Sequence, residues 1–100
     1  MCHVTKAAMI EGFRHKGLRR LYEDEYPRSL PPDMLDRIQV VLAALDAAKV
    51  IEELQRPSFR LHPLKGGLKG FWAVTVRANW RIIFRFENGR VFDVDFVDYH

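Results

Sequence analysis

Cysteine is almost missing from this chain: Cys2 stands alone among 100 residues, so no disulfide can close within it. A lone thiol fits a reducing compartment. Long apolar runs are missing too. No stretch approaches the roughly 18 residues a membrane span needs, and Met1-Cys2-His3-Val4-Thr5-Lys6 lacks the apolar core of a signal peptide. The cytoplasm, away from any membrane, is the expected location. Gly and Pro are too scarce, at 6 and 5 residues, for a collagen-like or low-complexity chain. No Gly-rich phosphate cradle opens a helix, and HExxH, CxxC and GxSxG are absent. No metal and no cofactor is therefore expected. Cys2-His3 supplies only two metal-ligand types in a loose end.

What is there describes an ordinary globular chain, with 48% apolar and 29% charged residues and enough length for one modest core. Residues 1–9 show no periodicity and include a second methionine, Met9; they are expected to be a disordered extension ahead of a single domain over residues 10–100. From Lys16 to Tyr26 the spacing of Leu18, Leu21, Tyr22 and Tyr26 predicts a short amphipathic helix, with Lys16, Arg19 and Arg20 outward. Pro27, Pro31 and Pro32 break it. Asp33 is then placed to cap a second helix whose stripe is Leu35, Ile38, Leu42 and Leu45. Ala47 to Leu54 is either a third helix or a bent continuation.

Beyond Ser58 the period changes to two. Phe59 and Leu61 alternate with Arg60 and His62; Pro63 and Gly66-Gly67 mark a loop; Trp72, Val74 and Val76 share one strand face, and Trp80, Ile82, Phe84 and Phe86 another. Asn88-Gly89 signals a hairpin. A two-residue turn there sets Phe84 against Asp93 and Ile82 against Asp95. A three-residue loop, Glu87-Asn88-Gly89, pairs Phe84 with Phe92, Ile82 with Val94 and Trp80 with Phe96, and is the expected register. It also pairs Arg81 with Asp95 and leaves Arg85 exposed. The expectation is an α+β fold, with N-terminal helices packed on one face of a mostly antiparallel sheet and a basic surface on the other.

Charge follows the same division. Residues 1–55 hold eight Lys/Arg against nine Asp/Glu, whereas residues 56–100 hold eight against four. A basic segment interleaved with Phe59, Phe71, Trp72, Trp80, Phe84 and Phe86 suits unpaired RNA. The same alternation also describes any antiparallel sheet with one solvated face. The side chains suited to chemistry are His62, Lys65, Arg81 and the terminal Asp98-Tyr99-His100. Cleaving RNA without a metal needs a base for the 2'-OH, cations for the phosphorane and an acid for the 5'-oxygen, and these types supply them. Each also has a plain structural reading: an exposed strand histidine, solvated lysines, an arginine paired to Asp95, a fraying tail.

The strings His62-Pro63-Leu64-Lys65-Gly66, Gly70-Phe71-Trp72, Val76-Arg77-Ala78-Asn79-Trp80-Arg81-Ile82 and Asp98-Tyr99-His100, with the opening Phe13-Arg14-His15-Lys16-Gly17-Leu18, resemble HigB-type toxins of the RelE/ParE superfamily. The resemblance implies an endoribonuclease that cuts mRNA in the ribosomal A site through attack of the 2'-OH, held in check by a cognate HigA-type helix-turn-helix antitoxin. It carries catalytic roles to His62, Lys65, Arg81, Asp98, Tyr99 and His100, and substrate contacts to Asn79 and Arg77. His100 or Asp98 would take the 2'-OH proton, Lys65 and Arg81 would hold the phosphorane, and Tyr99 or His62 would orient or protonate. Lys16, Arg19 and Arg20 would face ribosomal 16S RNA; simple solvation is the alternative for them. A ParE-like toxin, which poisons gyrase without cutting RNA, is the competing reading, and it has no need of the His62, Lys65 and His100 set.

Overall fold

A computed structural model describes residues 10–23, 30–77 and 79–98. The extension expected over residues 1–9 and the helix end expected at Tyr26 lie outside these. Helix α1 runs Lys16–Tyr22 and helix α2 Leu35–Ala47; strands β1 (His62–Pro63), β2 (Phe71–Arg77), β3 (Trp80–Glu87) and β4 (Arg90–Asp98) follow. The strands form one sheet in the order β1-β2-β3-β4, every neighbour antiparallel. Both helices pack on one face of it.

α1 starts where His15 Nδ1 accepts the N–H groups of Gly17 and Leu18, satisfying two donors that a helix start leaves open. α2 buries Ile38, Val41, Leu42, Ala44 and Leu45 at helical spacing, while Leu35 is half-buried. Asp33 does not cap it. A 3₁₀ turn over Pro32–Met34 leads into the helix, and the Asp33 carboxylate reaches across to Arg77 at 2.6 Å. α2 stops at Ala47, so the segment after it is a separate 3₁₀ turn, Ile51–Leu54, whose start is held by the Glu53 carboxylate on the N–H groups of Lys49 and Val50. Those two bonds pull the Glu53 pKa below its usual value.

The core sits between the helices and the sheet face carrying Val74, Val76, Ile82, Phe84, Val94 and Phe96. Trp72, Trp80 and Phe86 edge it, and Trp80 stacks on Phe96 with centroids 4.6 Å apart. Phe59 enters from the turn before β1, and the guanidinium groups of Arg37 and Arg56 lie over its ring, 5.2 and 5.1 Å from its centroid.

The β3–β4 hairpin departs from the expected register. Glu87 faces Arg90 across a two-residue turn in which Asn88 and Gly89 both take positive φ, 52° and 76°. Those signs define the tight turn whose twist matches the strands it joins. The mismatch this creates is absorbed further on, where Asp93 and Val94 stand together against Phe84 and Asp93 takes a φ of 55°. The bulge shifts the alternation by one residue, so Val91, Val94 and Phe96 are all buried. Phe92 faces Arg85 instead of Phe84, Ile82 faces Phe96, and Arg81 faces Val97. A further departure is the segment before α1. Ile10 and Phe13 bridge to Val91 and Val94 in parallel, with Glu11 N–H donating to the Val91 carbonyl at 2.7 Å and Arg14 N–H to that of Val94 at 2.8 Å.

Candidate active site

The sheet face turned away from the helices is built by the residues that alternate with the core set. Cross-strand partners share a face, so the register draws rows across it. His62, Ala73, Ile83 and Asp95 form the middle row. Thr75, Arg81 and Val97 form the row on one side, and Phe71, Arg85 and Phe92 the row on the other. Rows two residues apart are about 7 Å from each other, and adjacent strands about 5 Å. Ala73 and Ile83 are buried at 0% and 2% exposure although they face away from the helices, which makes an apolar floor rimmed by longer polar side chains.

His62 stands at the rim, exposed, on the short edge strand β1. Pro63 beside it can occupy a strand only at such an edge, because it has no N–H to give. The His62 ring is oriented locally: Nδ1 lies 3.0 Å from the Arg60 carbonyl oxygen, and Arg60 turns that carbonyl inward through a φ of 50°. A carbonyl only accepts, so Nδ1 carries the hydrogen. Nε2 is left as the nitrogen that exchanges a proton, holding a lone pair when the ring is neutral and an N–H when it is charged.

Lys65 follows β1 in the loop, exposed, as the residue preceding the 3₁₀ turn Gly66–Leu68. Gly66 and Gly70 take φ of 68° and 97°, which lets this loop double back into β2. Arg81 is half-buried in its row, with Nη1 donating to the Trp80 carbonyl at 3.3 Å. Asp95, the partner expected for Arg81, sits one row away opposite Ile83, and its carboxylate accepts the Phe96 N–H at 2.9 Å. His62 and Arg81 thus share one face, two strands apart and in adjacent rows. Lys65 flanks that face from the β1 side.

The other expected residues are placed differently. Asp98 faces Trp80, so the strand alternation sets it on the opposite side from Val97 and Arg81. Tyr99 and His100 lie outside the described residues. Arg77 leaves the site: a register shift between Thr75 and Arg77 pairs it with Trp80 on the helix side, where it holds Asp33. Asn79 is exposed in the turn between β2 and β3. Lys16, Arg19 and Arg20 are exposed on α1, Arg19 bonded to Glu23 at 3.3 Å. Arg85, expected to be exposed, is half-buried and held by Glu87 at 2.6 Å and Asp93 at 3.0 Å, which raises its pKa further. Phe92, expected in the core, and Arg14, whose guanidinium lies 5.9 Å from the Phe71 centroid, join this face without any signal in the alternation. Among the described residues, no three His, Cys, Asp or Glu side chains gather as a metal site, and no helix is long and apolar enough to cross a membrane.

Two solved structures share this arrangement. The YoeB–YefM complex from Staphylococcus aureus matches with a TM-score of 0.59 over 93% of this chain and 99% of that one, at 14% identity. A YafQ variant from E. coli matches with a TM-score of 0.58 over 89% and 90%, at 15% identity. By fold, then, this is a two-helix, four-stranded protein of the YoeB and YafQ kind. Sequence narrows the class. Residues 11–100 match the HigB-like family, described as the RelE-like toxin of the type II toxin–antitoxin system HigB, and the chain belongs to that family. It is 48% identical over 92 residues to the endoribonuclease HigB of Proteus vulgaris, covering 92% of this chain and all of that one. It is 33% identical over 79 residues to toxin HigB-1 of Vibrio cholerae, covering 77% and 83%.

Proposed function

We propose that this chain is an endoribonuclease toxin that cuts mRNA in the ribosomal A site and is neutralised by a HigA-type helix-turn-helix antitoxin. The observation that carries the reading is the common open face of His62 and Arg81, beside Lys65, in a chain nearly half identical to an endoribonuclease over its length. In the proposed reaction the 2'-oxygen of the substrate attacks the adjacent phosphorus and the bond to the 5'-oxygen breaks, leaving a 2',3'-cyclic phosphate and a 5'-hydroxyl. Arg81 and Lys65 offset the charge that gathers on the phosphorane. His62, with Nδ1 tied to the Arg60 carbonyl, presents Nε2 to move one proton. The second proton is assigned to His100 or Tyr99, because Asp98 faces Trp80 on the other side of the sheet from Arg81. Asn79 contacts the mRNA base, and the exposed Lys16, Arg19 and Arg20 face 16S RNA, so the ribosome holds the message in place for a small enzyme.

The test is inducible expression with mapping of mRNA 5' ends. Cuts in register with codons that disappear in Lys65→Ala and His100→Ala support the reading. Growth arrest with intact mRNA and damaged DNA would replace it with gyrase poisoning, and arrest unaffected by either substitution would remove these residues from the site.

A further inference from the structure

The row Phe71, Arg85, Phe92 plays no part in the proposed chemistry, yet it is built with more constraint than a solvated sheet face needs. The three residues are consecutive partners across β2, β3 and β4, so two half-buried rings flank one guanidinium on the open face. That guanidinium lies 5.7 Å from the Phe92 centroid, clamped by Glu87 and Asp93. Asp93 is able to reach it because the bulge holds Asp93 at a φ of 55°, a conformation that residues other than glycine rarely keep. A second guanidinium, from Arg14, covers Phe71.

Two carboxylates on Arg85 offset its charge, which makes it a poor phosphate anchor and leaves a fixed flat surface. Aromatic rings and guanidinium planes are the surfaces on which unpaired nucleobases stack, without regard to which base it is. Four residues along β3 separate this row from that of Arg81, about 14 Å, with His62's row midway. We infer that Phe71, Arg85 and Phe92, with Arg14, form a stacking subsite for a nucleobase of the message a few nucleotides from the bond that is cut. This rests on the reading of the chain as an mRNA endonuclease.

The experiment uses ribosomes programmed with a message carrying the fluorescent base 2-aminopurine at successive positions, with a deoxyribose at the cut site to block cleavage. Quenching is expected at one position displaced from the cut site in the wild type. It should be lost in Phe92→Leu and Phe71→Leu, which keep apolar bulk but no ring, and restored in Phe92→Tyr. Message affinity in the Leu variants should fall about tenfold, in line with the loss of one stacked base. Absence of quenching at every displaced position in the wild type, or quenching that persists in the folded Leu variants, overturns the subsite. The outcomes separate cleanly: a wild type that fails to cut the all-ribose message refutes the endonuclease reading itself, whereas cutting without displaced quenching refutes only the subsite.

Discussion

The two faces of the sheet are made from the same strands and do opposite work. On the helix side Val74, Ile82, Phe84 and Val94 are wholly buried, and removing water from them is what stabilises the fold. On the open side, one residue along, Ala73 and Ile83 supply a floor, while His62, Arg81 and Arg85 keep polar atoms at the surface. Stability and, on the proposed reading, chemistry are thereby sorted by parity along each strand. A substitution at Ile82 and one at Arg81 are neighbours in sequence and strangers in effect.

That separation can be attacked from either side. The largest effect is expected from His62→Ala, which should lower cleavage roughly 100-fold to 10,000-fold, the range for losing a proton-transfer group, and leave the urea midpoint nearly unmoved. A large fall in the midpoint would place His62 among the structural residues. Leu45→Ala, on the helix side, should do the reverse: about 2 to 5 kcal/mol lost in urea unfolding, with unchanged cleavage per folded molecule. Gly89→Ala forces a side chain into the left-handed turn and should cost about 1 kcal/mol, read by the same titration. Tyr22→Phe removes the 2.7 Å bond from the phenol to Asp46, worth about 1 kcal/mol at neutral pH. Burial and Asp46 raise the Tyr22 pKa, so its contribution is complete below the ordinary phenol value near 10 and declines as pH climbs toward the folded value. The Phe variant should show a shallower alkaline decline. Smallest is Glu53→Gln. The Glu53 pKa is lowered by two backbone N–H groups, so its stabilisation is present above about pH 4.5 and lost as pH falls through the folded value; the variant should flatten that acid limb.

Much of this was legible in the residues. Helix α2, the face of β2 and the parity of His62 and Arg81 follow from simple periodicity, and the resemblance to HigB-type toxins is matched by the family comparison. What escaped has a common cause. A bulge adds one residue without breaking alternation on either side of it, so the apolar Phe92 passed for a core residue, and the three-residue step from Val91 to Val94 was its only trace. The shift between Thr75 and Arg77 turned Arg77 toward Asp33 in the same way. The pairing of Ile10 and Phe13 with β4 left no periodic mark, because two isolated bridges constrain too few residues to pattern a sequence.

That pairing has an outcome of its own. A sheet ordinarily ends in strands whose unused amides invite other chains to add on. Here the segment Ile10–Phe13 covers the Val91–Val94 stretch of one margin, and among the described residues the strand at the opposite margin is His62–Pro63, brief and poor in donors. Trimming the chain back past Phe13 would uncover the β4 margin and turn a self-contained fold into one prone to polymerise.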